Sequence, residues 1–91
     1  MDTSVSALTE EHQEAMKTAS MCDRRHRRLT LKAEQMKDAA VKALQAGNDG
    51  EARKLLEVKV KVLESAGASL RRAQINRALA AKLEEVLQAY W

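Results

Sequence analysis

The stretch Ala43-Leu44-Gln45-Ala46-Gly47-Asn48-Asp49-Gly50-Glu51-Ala52-Arg53-Lys54-Leu55-Leu56-Glu57-Val58-Lys59 decides how this chain folds. Gly47-Asn48-Asp49-Gly50 is the only cluster of strong breakers in a sequence without proline, and it lies near the middle. Apolar residues at helical spacing run away from it in both directions. Two long helices folded back through one tight turn is the economical solution. Gly47 suits the left-handed residue just past a helix end, and Asp49 can cap the next helix by accepting from its first free N–H groups.

Working back from the turn, nothing breaks a helix before Thr9, where Glu10 and Glu11 favour the positive end of a helix dipole. The spacing predicts a lead-in over 1–8, a first helix over 9–46 and a turn over 47–50. That first helix carries two rows four and three residues apart. Leu8, Ala15, Cys22, Leu29, Met36 and Ala43 form one row, and His12, Ala19, His26, Ala33 and Ala40 form the other. This is the stripe that a close antiparallel partner covers.

Working forward, a second helix is expected over 51–90. Its rows are read as Leu56, Leu63 and Leu70 beside Ala52, Lys59, Ala66, Ala73, Ala80 and Leu87. Gly67 is the one place where it could kink or break. A single interior glycine costs roughly 1 kcal/mol relative to alanine, and the Ala66–Leu70–Ala73 spacing carries the phase through it. The expected fold is therefore all-α: one helical domain over 1–91, a long coiled-coil-like antiparallel two-helix hairpin. Three helices is the alternative if Gly67 breaks the second.

Composition agrees with a thin structure. The 91 residues are 45% apolar and 32% charged, with one Tyr, one Trp and no Phe. Such a chain has few bulky side chains to fill a thick core. Beyond Gly67, Ile75, Leu79, Leu83, Val86 and Tyr90 widen the apolar arc beyond what one narrow partner covers. With Trp91 they form the expected partner-binding face, open to another protein or another copy. The Tyr90-Trp91 pair can anchor in a partner's pocket or at a bilayer interface, or staple the open end against Ala7 and Leu8.

Charge is unevenly placed. Residues 1–22 carry four acids against one lysine, and residues 23–32 carry five bases against Asp23. Folding about the turn brings Arg24, Arg25, Arg27 and Arg28 level with Arg71 and Arg72. A belt of that kind binds phosphate-rich or acidic surfaces: an anionic membrane, a nucleic-acid backbone or a protein. No aromatic residues interleave it for base stacking, so sequence-specific nucleic-acid readout is not expected.

Other chemistry finds little support. His12, Cys22 and His26 share the seam, but zinc takes four ligands, or three and a water, so no metal is expected. His12 falls level with Glu85 across the hairpin, which implies pH sensitivity rather than catalysis. No nucleophile–base order, glycine-rich phosphate loop or paired buried carboxylates is present. Neither an enzyme, a cofactor nor a small-molecule substrate is expected. The lone Cys22 permits no internal disulfide, and no apolar run reaches membrane-spanning length. The N-terminus lacks the layout of a secretory signal. These features suggest a soluble protein of a reducing compartment, cytoplasmic or inside an organelle after removal of a targeting segment, with peripheral membrane association open to it.

Ala43, Leu44, Gly47, Ala52, Leu55, Leu56 and Lys59 match a pattern in register: Ala-Leu-x-x-Gly at a turn, then Ala, Leu-Leu and a Lys-rich helix. Over residues 43–61 the chain resembles the first hairpin of the ESCRT-III proteins and the related phage-shock-protein A family. The resemblance implies a hairpin that assembles side by side on anionic membranes through a basic first helix. By position, Arg24, Arg25, Arg27 and Arg28 would form that basic face. The sequence thus points to a non-enzymatic helical-hairpin interaction or assembly module, ESCRT-III-like in one version. The alternative is a small structural subunit buried in a large protein or ribonucleoprotein complex.

Overall fold

The computed structural model describes residues 3–90. Within them the chain forms two helices, α1 (Thr3–Gln45) and α2 (Asp49–Gln88). They make the expected all-α antiparallel hairpin. No strand occurs among the described residues.

The turn is built as its residues dictate, with one change of role. Gly47 takes a φ of 78°, a left-handed conformation that an L side chain resists. The Asn48 amide donates to the Ala43 carbonyl (2.8 Å) and the Gly47 amide to that of Leu44 (3.0 Å). This six-to-one and five-to-two pair closes the last turn of α1 in a Schellman motif. The helix cap is Asn48 rather than Asp49. The Glu51 amide donates to Asn48 Oδ1 at 3.3 Å, and Asp49 is already the first residue of α2. There Asp49 and Glu51 sit in the first helical turn, where negative charge complements the dipole.

The outer ends also differ from expectation. α1 begins at Thr3, so most of the expected lead-in is helical. Thr9 does not cap: its hydroxyl donates to the Val5 carbonyl at 2.8 Å, a bond available only inside a continuing helix. α2 ends at Gln88 instead of 90, and amides of Ala89 and Tyr90 close tighter turns onto Val86 and Leu87. Gly67 lies inside α2, which runs without a break; the three-helix alternative does not occur.

The helices pair in two compact units, Arg24–Ser69 and Met1–Asp23 with Leu70–Trp91. In the Arg24–Ser69 unit the α1 seam is His26, Leu29, Ala33, Met36, Ala40 and Ala43, all buried or half-buried as the heptad rows require. Ala52, Val62, Ala66 and Ser69 are the buried residues of α2 there, with Leu55 and Lys59 half-buried. Leu56 and Leu63 are exposed, which corrects their assignment to the seam. In the other unit Ala15, Ala19 and Cys22 of α1 are buried, as are Ala73, Ala80 and Leu83 of α2. Leu70 and Leu87 are half-buried there.

Small side chains decide this packing. Among the described residues, eight of the eleven buried apolar ones are alanine, and Ala73 has no exposed surface at all. An alanine seam lets the helix backbones approach closely, and the dry contact between them takes the companion row that carries no charge. The companion row therefore lies three residues after each seam position (Leu55, Val62, Ser69, Asn76 and Leu83 after Ala52, Lys59, Ala66, Ala73 and Ala80), and of the residues four on only Leu70 is half-buried. Each methyl buried this way contributes only about 0.8 kcal/mol. The helices hold one another by many small contacts rather than by a thick core.

Candidate functional site

The arginine run Arg24-Arg25-His26-Arg27-Arg28 is organised by the histidine at its centre. His26 is half-buried, and its Nδ1 lies 2.9 Å from the Ala66 carbonyl oxygen on α2. A carbonyl only accepts, so Nδ1 carries the proton and donates. With His26 turned inward, helical geometry fans its neighbours outward. Arg25 and Arg27 leave the helix about 100° to either side of His26, and Arg24 and Arg28 about 160° away. All four are exposed. Arg71 and Arg72 are exposed too, on either side of the seam phase set by Ala73. The expected belt thus has its first four members in the Arg24–Ser69 unit and its last two in the other.

The acid nearest the run is already engaged. Asp23 of α1 forms a salt bridge with Arg77 of α2. Among the described residues no salt bridge reaches Arg24, Arg25, Arg27 or Arg28, nor Glu10, Glu11 or Glu14.

The expected apolar face is mostly outside. Ile75 is 67% exposed, and Leu79, Val86 and Tyr90 are likewise exposed. Leu83 is the exception at 7%, a member of the hairpin seam and not of the outer face. Its position three residues after Ala80 places it against α1. Trp91 lies outside the described residues.

Open grooves flank the helices among the described residues. One, of about 440 Å³, is lined by Glu10, Glu11, Glu14 and Thr18 of α1 and Asn76 and Leu79 of α2, among others. Asn76 Nδ2 donates to the Arg72 carbonyl at 2.9 Å, so this seam amide is satisfied within its own helix. A second, of about 470 Å³, has His12, Asp23, Arg77 and Glu84 on its walls. His12 therefore shares its groove with Glu84, rather than with the Glu85 expected from the fold-back register. A third, of about 490 Å³ beside the turn, is lined by Leu44, Leu56, Val60, Arg53 and Glu57.

That third groove was not visible as a site in the sequence, because Leu56 reads as a seam residue. One signal was available. The Leu56 row continues to Arg77 and Glu84, whereas the row Leu55, Val62, Ser69, Asn76, Leu83 stays uncharged throughout. An uncharged row is the one a dry seam accepts.

Among the described residues, no group of three or more His, Cys, Asp or Glu is placed to hold a metal ion. Cys22 is buried with a free thiol. No helix among the described residues is long and apolar enough to cross a membrane. No family model, no curated protein and no solved structure matches the chain.

Proposed function

We propose that this chain is a non-enzymatic helical-hairpin interaction module: it docks onto a protein by the outer apolar face of α2 and engages anionic groups through its arginines. One observation carries the reading. The hairpin closes its own seam with alanines, yet leaves Ile75, Leu79 and Val86 in solvent. An apolar face of this kind is the usual mark of a surface that another molecule covers. Arg24, Arg25, Arg27 and Arg28 add a guanidinium-rich surface suited to paired hydrogen bonds with carboxylate or phosphate.

Ile75→Asp combined with Val86→Asp tests the docking face. Both side chains are exposed, so the helix content by circular dichroism stays that of the wild type. A protein that co-purifies with the wild-type chain from its native source is lost from the variant. Retention of that protein by the variant would sink the reading.

Sedimentation with phosphatidylserine vesicles addresses the membrane version suggested by the resemblance of the turn region. Vesicle binding that disappears in an Arg24→Glu/Arg25→Glu/Arg27→Glu/Arg28→Glu chain would favour an ESCRT-III-like membrane-associated unit. Absence of vesicle binding, with a co-purifying partner, would favour a subunit of a larger complex.

A further inference from the structure

The exposed charges of α1 follow a pattern that the hairpin itself does not use. Residues 11, 14, 18, 21, 25 and 28 are spaced three, four, three, four and three apart, so in a single α-helix they form one stripe. Read in order they are Glu11, Glu14, Thr18, Met21, Arg25 and Arg28. The stripe is acidic in its first half and basic in its second. Five of the six are exposed and Thr18 is half-buried.

A stripe of this kind is complementary to itself when reversed. We infer that α1 pairs antiparallel with α1 of a second copy, placing Glu11 against Arg28 and Glu14 against Arg25, with a two-fold axis passing level with Ala19 and Ser20. Thr18 then faces Met21 of the second copy. The two-fold repeats each contact, giving four ion pairs. A parallel arrangement in the same register stacks glutamate on glutamate and arginine on arginine, so the charges select the direction as well as the partner.

The structure supplies the receiving surface. Glu11, Glu14 and Thr18 line the 440 Å³ groove together with Glu10, Asn76 and Leu79. Leu79 offers an apolar wall for Met21 of the second copy, which is itself exposed. Glu10, one residue from Glu11, adds a second carboxylate close to the incoming Arg28. Asp23 does not compete for these arginines because Arg77 already holds it. Among the described residues the groove acids and the arginine run thus form no salt bridge within the chain, and they match each other in spacing.

This inference rests on the reading of the chain as an interaction module and deepens it: the anionic surface that the arginines meet is the N-terminal half of a second copy. It uses Leu79 at the edge of the apolar face but neither Ile75 nor Val86, which stay open to another protein.

The test is sedimentation velocity of the full chain over a concentration series up to about 100 μM at low ionic strength, where ion pairs are least screened. The wild type forms a dimer that weakens as salt is added. Glu11→Arg/Glu14→Arg makes the stripe wholly basic, and Arg25→Glu/Arg28→Glu makes it wholly acidic. Each variant alone shows a dimer dissociation constant raised at least roughly tenfold. Mixed in equal amounts, the two variants form a heterodimer, because every facing pair is again of opposite sign. That rescue also excludes misfolding as the cause of the loss. A wild type that stays monomeric throughout the series overturns the inference, and so does failure of the mixture to pair. A dimer that survives both reversals but disappears with Ile75→Asp/Val86→Asp also overturns it, while leaving the apolar docking face standing.

Discussion

His26 of α1 donates through Nδ1 to the carbonyl oxygen of Ala66 on α2, 2.9 Å away. The bond joins a seam histidine to backbone next to Gly67, the one place where the sequence would let α2 kink or break. A hydrogen bond of this type has a net worth of about 1 kcal/mol, and the half-buried imidazole also packs against the alanine-lined seam. His26→Ala is expected to lower stability by about 1–2 kcal/mol. Urea unfolding followed by circular dichroism measures this, and an unchanged midpoint would remove His26 from the hairpin's stabilising contacts.

The two turn glycines are expected to respond in opposite ways to alanine. Nothing lies within 4 Å of a Cβ built on either Gly47 or Gly50, so neither substitution clashes. Gly47 has a φ of 78°, and Gly47→Ala therefore costs about 1–2 kcal/mol from backbone strain alone. Gly50 is helical in the first turn of α2, so Gly50→Ala leaves stability unchanged or raises it by up to about 1 kcal/mol. Thermal melts of the two variants should move in different directions from the wild type.

Capping is expected to distinguish Asn48 from its neighbour. Asn48 Oδ1 accepts from the Glu51 amide, and Asn48→Ala should cost about 1 kcal/mol. Asp49 acts only through its charge on the helix dipole, so Asp49→Asn should cost about 0.5 kcal/mol or less, and less still in high salt. Denaturant curves at low and high salt separate the two effects. Equal losses with equal salt dependence would contradict the assignment of the cap.

Enlarging the seam tests whether close approach holds the hairpin. Ala73 is fully buried, whereas Ile75 two residues on is two-thirds exposed. Ala73→Leu forces the helices apart and should destabilise by about 1–3 kcal/mol. Ile75→Ala should change the stability of the isolated chain by no more than about 0.5 kcal/mol. Chemical denaturation of both variants is the measurement, and a tolerated Ala73→Leu would mean the seam is not close-packed.

Much of the candidate site was legible because charge and periodicity are local properties. Arg24, Arg25, Arg27 and Arg28 must fan outward once His26 takes a seam phase, and Ile75, Leu79 and Val86 lie off the alanine rows of α2. Leu83 was misread for a definite reason. It belongs by composition with the apolar residues around it, and only its spacing from Ala80 reveals that it faces inward. The same one-residue ambiguity misplaced Leu56 and Leu63, hiding the groove beside Leu44 and Val60. The extension of α1 back to Thr3 was missed because serine and threonine read as caps, while Thr9 instead bonds to the turn before it.

The amino-acid sequence alone determined where the chain reverses, since Gly47 can adopt a backbone conformation that costs its neighbours, and Asn48 can cap the second helix. It also determined the inward stripe of α1, because the two heptad rows there admit no competing phase. On α2 the row Ala52, Lys59, Ala66, Ala73 and Ala80 leaves two companion rows open, three residues on or four. Only contact with α1 chose between them. Backbones drawn close by alanine accept Val62, Ser69 and Leu83 in the gap and turn Leu56 and Leu63 out into solvent.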